Sequence, residues 1–167
     1  EALDEQYLPR FSGDKLPQTK TGQAVSLAEK LDTLVGLFGI GQPPTGVKDP
    51  FALRRAALGV LRIVIERDLD IDLVDLLEQA SQGLDGVLSE DNVTQSVMRY
   101  FYDRLRGYAA EQGVKADVFE AVLAVQPTKP LDFMQRLNAV SAFRALEQAE
   151  ALAAGNKRIG NILRKNN

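Results

Sequence analysis

Hydrophobic residues recur along most of the chain at intervals of three and four, the spacing of an amphipathic helix. The segment 20–38 shows this spacing at Val25, Ala28, Leu31, Leu34 and Phe38. No stretch of useful length alternates apolar and polar residues, so we expect no strands. We therefore predict an all-α fold, a helical bundle. Its predicted helices are 1–8, 20–38, 50–67, one from 70 to a loop at 83–89, 90–112, 115–125, 130–145 and 147–165.

The segment 50–67 is apolar on nearly every side, which is typical of a helix at the centre of a fold. Asp49 suits the N-cap, and Pro50 suits the first helical position. At about 100° per residue, four residues share one narrow stripe of this helix: Arg55, Gly59, Arg62 and Glu66. Gly59 costs about 1 kcal/mol relative to alanine. Close approach of another backbone, of protein or RNA, would offset that cost.

Two interpretations of the arginines in this segment stay open. In the first, they pair with acids inside the fold: Arg62 with Glu66 one turn away, and Arg54 with an aspartate of another helix. In the second, they contact RNA phosphates, with Arg55 and Arg62 as the main candidates and Arg54 as a further one.

A second cationic pattern lies in the helix predicted for 147–165. One face carries four cations: Lys157, Arg158, Arg164 and Lys165. The opposite face is apolar: Leu152, Ile159 and Leu163. The cations could follow a phosphate backbone, with Asn156 and Asn161 as hydrogen-bonding partners. The alternative is a solvated helix whose cations complement the helix dipole.

Aromatic residues are concentrated in the segment 90–112. Phe101 and Tyr108 are seven residues apart, share a face and are expected in the core. Tyr100 and Tyr102 point elsewhere. Packing against a neighbouring helix is the favoured interpretation for both, because aromatic side chains dominate cores. Stacking on RNA bases is the alternative.

Composition narrows the possible functions. The 167 residues suffice for one domain or two small ones, and the formal net charge is -3. Any nucleic-acid binding must therefore come from local cationic patches. The chain has no cysteine and no histidine. This excludes disulfides, thiol and histidine catalysis, and most transition-metal sites within it.

No catalytic motif is present, so we expect no catalytic residue, metal or cofactor in this chain. Nothing resembles a phosphate-binding glycine loop or a nucleophile elbow. Asp70, Asp72 and Asp75 fit a helix start better than a calcium loop. No apolar run reaches the length of a membrane span. The first residues look like the end of a helix cut from something longer, so we expect a fragment.

Four segments resemble the beta subunit of bacterial glycyl-tRNA synthetases, in the order in which that family has them: 5–17, 28–41, 48–63 and 153–163. The stretch from about 70 to 127 matches less distinctively. The resemblance implies an HD-like helical segment over 1–70. It also implies the start of a helical anticodon-binding-like segment over 71–167, which we expect to be incomplete.

The resemblance also implies a function. The family is a bacterial, cytoplasmic tetramer of two alpha and two beta subunits that joins glycine to its tRNA. The alpha subunit uses ATP and magnesium. The expected partners are glycine tRNA and the alpha subunit, with neither DNA nor a membrane. This chain would bind tRNA, or act purely as a structural scaffold without RNA contact.

The resemblance further bears on which residues could act. Residues 28–32 read Ala-Glu-Lys-Leu-Asp, where the family usually has Ala-Asp-Lys-Leu-Asp. True HD hydrolases use a carboxylate at this place together with histidines. Because this chain has no histidine, we expect no metal hydrolase site. Tyr100, Tyr102 and Asn156 are our candidates for contacts with RNA bases.

Overall fold

A computed structural model of the chain describes residues 2–84 and 86–165. Within these residues all regular elements are helices, which confirms the predicted all-α class. The helices are α1 (Ala2–Glu5), α2 (Lys20–Gly39), α3 (Leu53–Glu66), α4 (Leu73–Gly83), α5 (Val93–Glu111), α6 (Ala116–Leu123), α7 (Pro130–Arg144) and α8 (Ala149–Lys165). Most helix ends fall within three residues of the predicted ends.

Local chemistry sets several helix ends. The hydroxyl of Thr19 accepts from the Gly22 amide at 3.0 Å and caps α2. Asp72 caps α4 by accepting from the Val74 amide at 2.9 Å. This is the capping role expected at that helix start.

The C-terminal end of α5 is closed by a glycine. Gly113 has φ +83. Its amide donates to the Ala110 carbonyl at 2.9 Å, and the Val114 amide donates to the Ala109 carbonyl at 3.1 Å. This pair of bonds is a Schellman motif, which requires a left-handed residue and therefore favours glycine.

The start of α3 differs from the prediction. The helix begins at Leu53, and Pro50 lies outside it in the preceding turn. Ala52 has φ 55 and separates that turn from the helix. Asp49 still acts as a cap from outside the helix, because its carboxylate accepts from the amides of Leu53 at 2.8 Å and Arg54 at 3.0 Å. The prediction that the Asp49 carboxylate caps this helix is confirmed, but Asp49 lies four residues before the first helical residue and not directly before it.

α3 is the central helix of the bundle, as its nearly continuous apolar surface predicts. It packs against α2, α5 and α7. Its residues Ala57, Val60, Ile63 and Val64 have no exposed surface. One hydrophobic core extends from Leu16 to Leu137. That core takes residues from both 1–70 and 71–167, so the predicted division into two segments rests on the resemblance alone.

α8 lies at the edge of the molecule and packs against α7. Ala149 is its one buried residue among those described. Its apolar side chains are exposed, with Leu152 at 60% and Leu163 at 63%. Among the helices that the structure describes, none is long and apolar enough to cross a membrane.

Candidate nucleic-acid interface

Two arginines of α3, Arg55 and Arg62, face the loop that precedes α2 and bind its backbone carbonyls. Arg55 donates from Nη1 to the carbonyl of Arg10 at 2.9 Å. Two helical turns further on, Arg62 donates from Nη1 to the carbonyl of Asp14 at 3.1 Å. A guanidinium has five donors and no acceptor, so it is well suited to satisfy carbonyls that no helix or sheet pairs.

Arg67, just after α3, completes this arrangement. It donates from Nε to the Pro17 carbonyl and from Nη2 to the Leu16 carbonyl, both at 3.1 Å. No pattern in the sequence singled out Arg67. Nothing local reveals that a distant loop supplies two carbonyls to it.

The predicted ion pairs of α3 have a mixed outcome. Arg62 pairs with Glu66, with Nε 2.7 Å from Oε1, which confirms that prediction. The first interpretation also paired Arg54 with an aspartate of another helix, and no such pair occurs among the described residues. The Arg54 guanidinium donates to the carbonyl of Gly46, because the loop before α3 folds back over the first turn of the helix.

The close approach at Gly59 is made by side chains of the protein and not, as was predicted, by another backbone. A Cβ at this position would lie 3.1 Å from Cε of Lys30 and 3.4 Å from Cδ of Pro9. Lys30 is itself buried, and it donates to the hydroxyl of Ser26 at 2.9 Å and to the carbonyl of Gln6 at 3.2 Å. Burial lowers the pKa of the Lys30 ammonium, and the neighbouring Glu29 carboxylate partly opposes that shift.

The residues 28–32 thus place a lysine at the centre of polar contacts within the fold. No group of three or more histidine, cysteine or acidic side chains that could hold a metal occurs in the described part of the chain. The contacts of Lys30 tie α2 to the N-terminal segment. They are structural contacts.

Tyr100 and Tyr102 pack against neighbouring helices, which confirms the favoured interpretation. The Tyr100 ring lies 5.3 Å from that of Phe38 on α2. The Tyr102 ring lies 6.1 Å from that of Phe133 on α7, and its hydroxyl donates to the Pro127 carbonyl at 3.3 Å. Burial raises the pKa of both tyrosines. Phe101 is in the core as predicted, whereas Tyr108 is only partly buried.

The cationic face of α8 is open to solvent along its whole described length. Lys157, Arg158 and Lys165 have no hydrogen-bond or ion-pair partner among residues 2–84 and 86–165. Arg164 donates to the side-chain oxygen of Asn161 at 3.0 Å. Asn156 is exposed as well. The predicted stripe therefore exists as a row of accessible cations.

The two sets of predicted residues are separate in the fold. No side-chain hydrogen bond or ion pair joins α8 to α3 within the described residues. The α3 cations are largely committed to carbonyls and to Glu66, whereas most cations of α8 have no partner in the described chain. The structure thus gives the α3 arginines partners within the fold and leaves most cations of α8 exposed without one among the described residues.

A groove of about 720 Å³ lies between α3, α5 and the N-terminal loop. Five arginines line it: Arg54, Arg55, Arg62, Arg104 and Arg106. The last two were not predicted, because α5 stood out in the sequence only for its aromatic residues. Arg106 pairs with Glu120 and lies over the Phe119 ring, with Cζ 4.7 Å from the ring centroid.

Comparison with known proteins identifies a family that this sequence matches. A family model described as the glycyl-tRNA synthetase beta subunit matches residues 1–124. The chain belongs to that family. The match includes the groove and every arginine of α3, and it ends before α7 and α8.

Relatives extend the likeness to nearly the whole chain. The glycine--tRNA ligase beta subunit of Hahella chejuensis is 58% identical over 164 residues, which is 98% of this chain and 24% of that protein. The corresponding protein of Marinobacter nauticus is 57% identical over the same shares. That of Acinetobacter baylyi is 54% identical over 99% of this chain. The chain thus spans 24% of the length of these relatives.

Proposed function

We propose that this chain is a tRNA-binding and scaffolding part of a glycine--tRNA ligase beta subunit. In this role it supports the ATP-dependent attachment of glycine to its tRNA. Membership of the beta-subunit family supports the proposal. Its partners would be glycine tRNA and the alpha subunit, in a tetramer of two alpha and two beta subunits. ATP and magnesium would be used by the alpha subunit, and this chain would supply no catalytic residue.

The observation that carries the RNA-binding role is the row of cations on α8. Lys157, Arg158 and Lys165 are exposed and have no partner in the described chain. Cations of this kind neutralise RNA phosphates and release condensed counterions, so that binding weakens steeply with added salt. The overall charge of -3 makes such a local row the means by which this chain would attract RNA.

The scaffold role is a second candidate, and the arginine contacts of α3 favour it. Arg62 and Arg67 donate to loop carbonyls through partly buried hydrogen bonds. A cation that already satisfies partly buried backbone carbonyls is costly to withdraw for another ligand, whereas the bond of Arg55 is exposed. We propose that α3 fixes the fold while α8 presents the RNA-binding surface.

Removing the α8 cations tests the RNA-binding role. We expect a variant with Lys157, Arg158, Arg164 and Lys165 all changed to glutamine to bind glycine tRNA more weakly. We also expect a shallower dependence of log affinity on log salt, by roughly 0.7 to 0.9 for each phosphate that is no longer neutralised. Fluorescence anisotropy with labelled glycine tRNA and a non-cognate tRNA, from low to physiological salt, measures both quantities.

A matched variant controls for net charge. It changes Lys15, Lys20, Lys48 and Lys115 to glutamine, all of them exposed and without a side-chain partner among the described residues. It alters the formal charge by the same four units. Equally weakened affinity in both variants would show that only net charge matters. Unchanged binding after the α8 substitutions would remove α8 as an RNA-binding surface.

A further inference from the structure

Arg104 differs from the other arginines that line the groove, because it has no hydrogen-bond or ion-pair partner among the described residues. Its Nε is buried and unpaired. Its guanidinium lies over the Tyr100 ring, with Cζ 5.3 Å from the ring centroid. A buried polar donor without a partner is uncommon and calls for an explanation, of which an absent ligand is one.

The groove has an excess of uncompensated positive charge. Arg62 and Arg106 pair with glutamates. Arg54 and Arg55 bind only carbonyls, so together with Arg104 they keep three full charges. The lining also contains two carboxylates, Asp103 and Glu111, so the net excess in the groove is one positive charge. Guanidinium groups are the preferred protein ligands of phosphate.

The rest of the lining suits a planar apolar ring. Pro9, Leu58 and Gly59 contribute apolar or uncharged surface, and the Phe11 ring stands beside them. Phe11 is 58% exposed although it is a large apolar side chain, and no ring of the described chain stacks on it. A volume of about 720 Å³ falls within the range of small-molecule sites.

We propose that this groove binds a nucleotide, with the phosphate at Arg55 and Arg104 and the base against Phe11 and Leu58. The two carboxylates would accept hydrogen bonds from base amino or ribose hydroxyl groups, which a simple fatty anion lacks. The nucleotide is either free or an unpaired unit of an RNA strand. In the second case the inference deepens the proposed function and rests on it.

The test compares an unpaired RNA tetranucleotide, the four ribonucleoside monophosphates and a blunt RNA duplex, each titrated into the full chain. The groove variants are Phe11→Ala and Arg104→Met, which keeps the aliphatic stem of the arginine. The controls are Phe143→Ala, an exposed ring on α7, and Arg99→Met, an exposed arginine on α5. Thermal unfolding of each variant verifies that the fold is kept.

We expect the tetranucleotide to bind, and each groove variant to weaken that binding by about tenfold or more, the scale of one stacking or phosphate interaction. The controls should stay within about twofold of the parent chain. Duplex binding should not respond to Phe11→Ala. Monophosphates that bind as well as the tetranucleotide would identify a free nucleotide as the occupant, and tetranucleotide binding alone would identify an RNA strand.

The inference would be overturned if neither the tetranucleotide nor any monophosphate binds. It would also be overturned if their binding is the same in both groove variants as in the parent chain. If the α8 substitutions reduce tRNA affinity while neither the tetranucleotide nor any monophosphate responds to the groove variants, the proposed function stands and the groove inference fails. If Phe11→Ala weakens monophosphate binding in a chain that does not bind glycine tRNA, the groove inference stands and the proposed function fails.

Discussion

At the scale of single residues, one carboxylate joins the N-terminal segment to α2. Glu5 is buried, with 8% of its surface exposed. It accepts from the amide of Gln18 at 2.7 Å and from the amide and hydroxyl of Thr19. The hydrogen bond from the Thr19 hydroxyl, followed by that from the Gln18 amide, lowers the pKa of Glu5. The charged form of Glu5 thus stabilises the junction between the loop and the helix.

Gly22 leaves room for this carboxylate. A Cβ built on Gly22 would lie 2.7 Å from Cβ of Glu5, a clash that cannot be relieved by rotating the end of the side chain. We expect Gly22→Ala to lower the free energy of unfolding by roughly 1–3 kcal/mol, because the overpacking exceeds the gain in helix propensity. Urea unfolding at neutral pH measures the change.

Gly107 on α5 is the matched control, because nothing lies within 4 Å of a Cβ built there. Gly107→Ala should raise the free energy of unfolding by up to about 1 kcal/mol, the helix propensity gain alone. The two substitutions are chemically identical and are expected to have opposite signs. The same sign for both would mean that the close approach of Gly22 and Glu5 does not constrain the fold.

At the scale of elements, α3 is both the centre of the core and the anchor of the N-terminal loop. Arg55 and Arg62 of this helix, with Arg67 just after it, reach carbonyls spread along that loop from Arg10 to Pro17. This arrangement explains why a helix so apolar carries several arginines. The loop has no helix or sheet to pair its carbonyls, and the guanidinium groups take that place.

Arg67→Lys tests whether the loop depends on this anchoring. Lysine presents a single ammonium in place of the planar fork, so it cannot reproduce the bonds to Leu16 and Pro17 together. We expect the free energy of unfolding to fall by about 1 kcal/mol and proteolysis within the loop to become faster. Tetranucleotide and tRNA affinity should not change, since Arg67 does not line the groove.

Arg99→Lys on α5 is the control, because Arg99 is exposed and has no partner in the described chain. It should leave both stability and proteolysis as they are. If Arg67→Lys behaves like Arg99→Lys, then the arginine–carbonyl bonds near the end of α3 contribute nothing measurable to the fold.

Local patterns predicted most elements but not the contacts between them. The spacing of apolar residues located the helices, and Gly113 marked the end of α5. The start of α3 was missed because Asp49 and Pro50 form a good helix start locally, while the positive φ of Ala52 depends on how the turn meets the core. The pairing of Arg62 with Glu66 is local and was predicted. The partners of Arg54 and Arg67 lie on other segments and could not be.

The candidate surfaces show the same limit. The cations of α8 share a face within one helix, so spacing alone revealed them. The groove is made by three segments that are far apart in sequence, and Arg104 has no distinguishing feature on α5 until the fold places it beside Arg54 and Arg55. Helical spacing shows which residues share one face of a helix, but it does not show which other segment packs against that face.

At the scale of the whole molecule, the bundle and α8 differ in how they are held. Helices α2 to α7 share one core, whereas α8 buries Ala149 and little else among the described residues. Most of the stability of a protein helix comes from tertiary packing of its apolar face, and α8 has little of that packing. We infer that α8 opens far more readily than the bundle does.

Amide hydrogen exchange measures this difference directly. We expect the amides of α3 to exchange only through global unfolding, and those of α8 to exchange at least about a hundredfold faster, a gap of roughly 3 kcal/mol in opening free energy. Binding of glycine tRNA should slow exchange in α8 if its cations hold RNA, because a bound ligand stabilises the folded helix.

The amides of α3 provide the internal reference, since they should change little. Equal protection of α8 and α3 in the free chain would mean that α8 is held by more than its packing on α7, and an α8 that exchanges equally fast with and without tRNA would place the RNA elsewhere on the molecule.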